Sequence, residues 1–267
     1  MALGIMTAVL CFYEIFHPGG TLARDTVPGR LAAIGARGEL RVCIWPDYFA
    51  ISWRNPRTGV LEGMDIDMAE ALARRLRVRL RFVETSFSDF AHRLDRDDCD
   101  LAMMGVGVTP EREQRVAFSQ PYLASPVYAV TPRNSARVRQ WSDLDRPGIV
   151  IAVAAGTRME PLMRETLRQA DLLVLRSPMA REQEVLSGRA DAFMSDYPYT
   201  RRMLETQDWA RIIEPPGRFG DSLYAYAVRK GDPSWLAEVD AFLAASRADG
   251  TLASAARRYD LTPVLVK

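Results

Sequence analysis

The stretch GVGVTPEREQRVAFSQPY, residues 105–122, decides how this chain is read, because it sets a guanidinium beside open backbone amides where an anion can dock. Thr109 is placed to cap a helix through its hydroxyl, Pro110 suits the first helical position because its missing N–H costs nothing there, and Glu111 favours the positive helix end. Arg112 then falls in the first turn. Gly105 and Gly107 let backbone approach a ligand closely, and the free N–H groups of that turn, with the five-donor fork of Arg112, match a carboxylate or phosphate. An arginine so placed is by itself most often a solvated charge, so its meaning depends on what the rest of the chain brings to it.

From Leu40 onward strand-like and helix-like patterns alternate, which predicts an α/β protein with mostly parallel sheets. Residues 40–44 read as a strand, and 65–76 as a helix with Met68, Ala69, Leu72, Ala73 and Leu76 on one face and Asp65 and Asp67 favouring its N-terminus. A strand over 79–83, a helix over 87–94 and a strand over 101–104 then deliver the chain into the opening stretch. After a crossing through 126–130 the pattern repeats: strand 149–153 ending in Gly156 and Thr157, a helix from about 160, strand 172–176, helix 180–186, and strand 190–194 ending at Ser195 and Asp196. A last strand, 223–228, leads to two helices joined at Gly250, a C-cap candidate. The expected organisation is an export signal or anchor over 1–24, a first lobe over 25–130, a second lobe over 131–223 and a return to the first over 224–267.

Two βαβ lobes joined by two crossing strands leave a cleft between them, and ligands of open α/β sheets bind at the carboxyl ends of strands. Arg112 follows such an end in one lobe, Thr157 and Asp196 in the other. Together they offer two anion donors and one carboxylate, which fits a small zwitterion.

Composition narrows the alternatives. A chain of 267 residues suits two compact lobes, and 35 basic against 34 acidic residues, a net charge of +1, gives no polyanion-binding surface, so no nucleic-acid partner is expected. With His17 and His92 as its histidines the chain offers no metal cluster and no Ser-His-Asp triad, and it lacks a GK[ST] phosphate loop, so no cofactor is expected. The run MALGIMTAVLCFYEIF over residues 1–16 resembles the core of a secretory signal or a short anchor, although Glu14 interrupts it and it falls short of the roughly 20 residues of a spanning helix. Cys43 and Cys99 adjoin expected strands and can form a disulfide in an oxidising compartment if their Cα atoms come within about 7 Å; the alternative is two buried thiols.

Five motifs in order resemble the bacterial family 3 extracellular solute-binding proteins over roughly residues 38–262: Gly63-Met64-Asp65-Ile66-Asp67, TPER at 109–112 with FSQPY at 118–122, DL at 143–144, GT at 156–157 and VRKGDP at 228–233. The resemblance implies a type II two-lobed periplasmic binding protein-like fold, a periplasmic monomer, and delivery of a small ligand to the membrane subunits of an ABC importer. It implies that Arg112 grips a ligand α-carboxylate, Thr157 is a second carboxylate donor, Asp196 receives an α-ammonium, and backbone near Gly105 and Gly107 completes the site. Tyr48 and Phe87 match the aromatics that sandwich the ligand side chain, with Trp45 a further wall.

Plainer roles compete. Asp196 can merely cap the following helix, Tyr48 and Phe87 can be core aromatics, and Arg158 reads as a surface residue, as do Asp47 and Asp89, the acids nearest to where a cationic ligand would need them. Gly107 stands where several amino-acid binders carry a hydroxyl, which opens the expectation to a modified or bulkier ligand. The enzyme alternative is a cyclohexadienyl or arogenate dehydratase, whose RLxxIxxxGxLRV opening matches residues 30–42; such enzymes need a glutamate three residues beyond the second-lobe aspartate, where this chain has Tyr199. A ligand-sensing protein serving a membrane partner is the third reading.

Overall fold

The computed structural model describes residues 29–177, 180–217 and 219–266, so the expected export segment lies outside the described residues. The first lobe opens with α1 (Arg30–Arg37) and β1 (Glu39–Ile44), followed by a small antiparallel sheet of β2 (Asp47–Tyr48), β3 (Ser52–Arg54) and β4 (Leu61–Glu62). It continues through α2 (Met64–Leu76), β5 (Arg79–Glu84), α3 (Phe90–Asp95), β6 (Leu101–Gly107), α4 (Pro110–Arg115), β7 (Val116–Phe118) and β8 (Leu123–Ser125). The second lobe comprises β9 (Val127–Pro132), β10 (Val150–Ala154), α5 (Met159–Thr166), β11 (Asp171–Leu175), α6 (Ala180–Leu186), β12 (Ala192–Asp196), α7 (Tyr197–Thr206) and β13 (Ala210–Ile213). The chain returns to the first lobe as β14 (Ser222–Arg229), α8 (Pro233–Ala248) and α9 (Thr251–Arg258).

Each lobe is built on one sheet, in the order β5-β1-β6-β14-β7, with β8 also on β14, and in the order β11-β10-β12-β9-β13. The expectation of mostly parallel sheets holds for β5-β1-β6 and β11-β10-β12 and fails for the strands that follow a crossing: β14 runs antiparallel to β6, and β9 antiparallel to β12 and β13. The reason is geometric. A strand that arrives from the other lobe enters its sheet at the cleft, where the parallel strands end, and so runs against them. The two crossings lie side by side, with Ser125 paired to Ser222 and Val127 N donating to Phe219 O at 3.0 Å.

β6 is buried at every residue because helices cover both faces, as parallel strands require. Leu101 and Met103 face Val42, Ile44 and the Met68, Leu72 stripe of α2, while Ala102 and Met104 face Cys43, Phe90 and Leu94 on the other side. Truncating a side chain such as Leu72, fully buried here, costs about 2–5 kcal/mol. Cys43 and Cys99 are bridged, Cα to Cα 5.6 Å, tying β1 to the turn before β6.

The motifs serve as joints of this scaffold. The Asp100 carboxylate, fully buried, is ringed by Arg30, Arg37 and Arg41 at 3.3, 2.6 and 3.1 Å, which anchors α1 and β1 to β6 and accounts for the arginines of the 30–42 stretch. Asp232 of VRKGDP caps α8 through Trp235 N and also accepts from Arg30 N. Asp65 does more than favour a helix end. It is fully buried and accepts from Gly105 N at 2.8 Å and the Tyr122 hydroxyl at 2.6 Å, joining the Gly63–Asp67, Gly105–Gly107 and FSQPY motifs in one place. Loss of hydration outweighs those two bonds and pushes its carboxyl up to about 7.

Candidate functional site

The parallel strands of both sheets end at the cleft, and the side chains lining it follow those ends one by one. Trp45 and Tyr48 come after β1, Phe87 after β5, Gly105 and Gly107 close β6, Thr157 and Arg158 come after β10, Arg181 after β11, and Ser195 and Asp196 close β12. Ser222 and Tyr224 join them from the start of β14. All eight residues singled out in the sequence therefore line one cavity, of about 50 Å³, room for roughly four water molecules.

Arg112 is held as its sequence context predicts. Thr109 Oγ1 accepts from Arg112 N at 3.2 Å, with Pro110 in the first turn of α4. Its Nη1 donates to Gly107 O at 2.7 Å, and Nη2 crosses the cleft to Gly156 O at 2.8 Å. Phe87 and Phe90 lie 5.7 and 5.5 Å from the guanidinium. Among the described residues no carboxylate comes within ion-pair distance of it, and desolvation pulls its pKa down to about 10. Gly105 adopts φ +62°, and a Cβ there would meet Tyr48 Cε1 at 2.7 Å, so this position needs glycine both for its backbone and for the ring packed on it.

Asp196 both caps and faces the cleft. Its Oδ1 accepts from Tyr199 N at 3.3 Å in α7, and its Oδ2 takes hydroxyl bonds from two first-lobe tyrosines, Tyr48 and, at 2.8 Å, Tyr224. Burial, and next the Asp196 charge, hold both phenols well above their usual pKa, so both are donors at any ordinary pH. The lobes are thus closed on each other through Tyr48, Tyr224 and Arg112.

Several expectations change in detail. Phe87 lies in the loop after β5, because α3 starts at Phe90, behind a turn in which Phe90 N donates to Ser86 O. Tyr48 and Phe87 do not form two plates: Trp45, Tyr48 and Phe87 pack edge-on or tilted with centroids 5.2–5.8 Å apart, closer than the roughly 7 Å a sandwiched group needs, so they make a single wall. Thr157 lines the cavity with its hydroxyl donating to Ala154 O at 2.7 Å. Arg158 is not a surface residue; it is half-buried in the cleft wall, donating to Gly220 O at 2.6 Å and Asp221 O at 2.9 Å. Asp47 and Asp89 do not line the cavity, and Asp89 pairs with Arg93.

Sequence reasoning missed Tyr224, Arg181, Ser195 and Ser222. Arg181 is buried on α6, donating to Met194 O at 2.9 Å and stacking 4.7 Å over Tyr199, whose hydroxyl bonds the buried Glu182 carboxylate. Its signal was present: it follows the one parallel strand end, that of β11, to which no site residue had been assigned.

The model of the bacterial extracellular solute-binding proteins, family 3, matches residues 40–262. A cyclohexadienyl dehydratase of Pseudomonas aeruginosa is 30% identical over 224 residues, covering 84% of this chain and 83% of that one. The crystal structure of an ancestral amino acid-binding protein, a precursor of cyclohexadienyl dehydratase, superposes with a TM-score of 0.78 at 32% identity, over 86% of this chain and 98% of that one. A binding component of an ABC transporter from Wolinella succinogenes, complexed with lysine, superposes at 0.77 with 26% identity, over 84% and 96%.

Proposed function

This chain belongs to the family 3 bacterial extracellular solute-binding proteins, and from that premise we propose that it captures a small carboxylate or zwitterion, an amino acid or derivative, and delivers it to the membrane subunits of an ABC importer. The observation that carries this reading is Arg112, a desolvated guanidinium at the cleft wall whose partners are two neutral carbonyls. A buried cation without a counter-ion is costly, and a ligand carboxylate removes that cost with a bidentate pair. In the open form the first lobe holds the ligand by Arg112 and backbone of Gly105 and Gly107. Closure adds Thr157 and Asp196, contacts that exist only in the closed state, so the ligand selects that state.

Charged hydrogen bonds are worth about 1.5–3 kcal/mol each, and micromolar binding needs about 8 kcal/mol. Three or four such contacts with some apolar burial against the Trp45, Tyr48, Phe87 wall supply it. The Tyr48 and Tyr224 bonds to Asp196 shift as an ammonium group arrives, and the lobes part slightly around anything larger than the present cavity. The Cys43–Cys99 bridge suits work in an oxidising, periplasmic compartment.

One observation favours a second reading. A dehydratase needs a proton donor at the cleft, and the Tyr199 hydroxyl at the cleft wall is coupled to the buried Glu182. Tyr199 is a weak acid, with desolvation first and then the Glu182 charge lifting it to about 12, which argues against efficient protonation of a leaving group. Purified protein is therefore expected to leave prephenate and arogenate unconverted. The binder reading is tested by a thermal-shift screen across amino acids, opines and small carboxylates, where a ligand that binds the native state at a hundred times its Kd stabilises it by about 2.7 kcal/mol. The expected result is a rise in Tm with at least one carboxylate; a flat response across the set contradicts the reading.

A further inference from the structure

Among the described residues three guanidiniums line the cavity, those of Arg112, Arg158 and Arg181, against one carboxylate, that of Asp196. The partners of the three are backbone carbonyls: Gly107 and Gly156 for Arg112, Gly220 and Asp221 for Arg158, Met194 for Arg181. Among the described residues none of the three has a carboxylate within ion-pair distance. Asp196, meanwhile, already takes two phenolic hydroxyls on one oxygen and a backbone N–H on the other. Further acids lie outside the cavity lining: Glu182 is bonded by the Tyr199 hydroxyl, Asp221 acts by its charge on Arg158, and Glu111 on Arg112.

A zwitterion with one carboxylate and one ammonium cancels none of this excess, and a cationic side chain adds to it. The three guanidiniums come from three elements: Arg112 from α4, Arg158 from the start of α5 and Arg181 from α6. A Cβ at Gly107 would lie 3.5 Å from Arg112 Nη1 and 3.6 Å from Arg158 Cδ, so these two arginines share one end. Arg181 reaches the cavity from a different element, α6, held over Phe193 and Tyr199 at 5.1 and 4.7 Å. A flanking groove of about 650 Å³ continues the same sign outward, with Arg164, Arg176 and Arg181 against Glu160, an arrangement that draws anions toward the cleft.

We propose that the ligand is a small dicarboxylate, with or without an amino group, whose first carboxylate is taken by Arg112 beside Arg158 and whose second is taken by Arg181. This rests on the solute-binder reading and narrows its ligand class. Trp45 in the cavity wall gives a fluorescence signal for titrating L-glutamate, glutarate, L-glutamine and L-lysine into the wild type and into Arg112→Ala, Arg181→Gln, Arg181→Lys and Arg158→Gln. L-Glutamate and L-glutamine have nearly the same shape and differ by one negative charge, while glutarate isolates the contribution of the amino group. The expected result is at least tenfold tighter binding of L-glutamate or glutarate than of L-glutamine, no saturation by L-lysine, a preference reduced about tenfold in Arg181→Gln and retained in Arg181→Lys. If L-glutamine or L-lysine binds as tightly as both dicarboxylates and still depends on Arg112, the dicarboxylate assignment falls and the binder reading stands. If no probe saturates, or saturation is indifferent to Arg112→Ala, the binder reading falls and the assignment with it. Should Arg181→Gln fail to fold, the wild-type ratio and its reduction in Arg158→Gln decide the matter.

Discussion

Two groups of three arginines in this molecule are held in opposite ways. Around Asp100 the guanidiniums of Arg30, Arg37 and Arg41 converge on one fully buried carboxylate, while around the cleft those of Arg112, Arg158 and Arg181 rest on carbonyl oxygens. The first group is internally matched and fixes α1 and β1 to the first-lobe sheet. The second is left with positive charge that the protein does not balance. A chain keeps such a deficit in a desolvated place when something from outside balances it, and the contrast separates charge that builds the fold from charge that waits for a ligand.

The largest loss of stability is expected at Asp100. Asp100→Ala strands three guanidiniums and removes the acceptor for Arg41 N, and it is expected to cost about 3–5 kcal/mol of stability in denaturant unfolding while leaving ligand affinity within twofold. Replacing Cys43 and Cys99 together by serine tests the same lobe by another route. It is expected to lower stability by about 2–4 kcal/mol, again without changing the affinity of the folded protein.

Asp65 makes the first lobe sensitive to pH. Its folded-state pKa of about 7 lies above the unfolded value of 3.8, so between those limits the native state holds the extra proton and stability falls as pH rises, by up to about 1.4 kcal/mol per pH unit. Asp65→Asn should flatten the stability profile between about pH 4 and pH 7; an unchanged slope contradicts the assignment. The smallest effect is expected at Tyr224→Phe, which removes one of the two hydroxyls on Asp196 and should change ligand affinity by about 1 kcal/mol, read by titration.

Much of this was legible in the sequence, and the limits have physical causes. Hydrophobic periodicity located the strands of both βαβ units, since burial on two faces leaves continuous apolar runs such as that of β6. The cap at Thr109 and the proline after it placed Arg112 correctly because helix starts are decided within a few residues. The antiparallel course of β9 and β14 was not legible, because it follows from the direction in which the chain re-enters a sheet. Nor was the Tyr48–Asp196 contact, made across 148 positions of sequence between lobes whose approach no local pattern encodes. Arg158 read as a surface charge and Arg181 drew no reading for the same reason: an arginine near a helix start is ordinary until the fold covers it.

Whether the charge at Arg112 belongs to a ligand carboxylate is decided by calorimetric titration of the best ligand from the thermal-shift screen into the wild type and Arg112→Ala. The expected result is a loss of about 2–5 kcal/mol of binding free energy, at least a thirtyfold rise in Kd, in a variant that unfolds at the same temperature or higher, because a costly buried cation has been removed. A variant that binds as tightly as the wild type contradicts it.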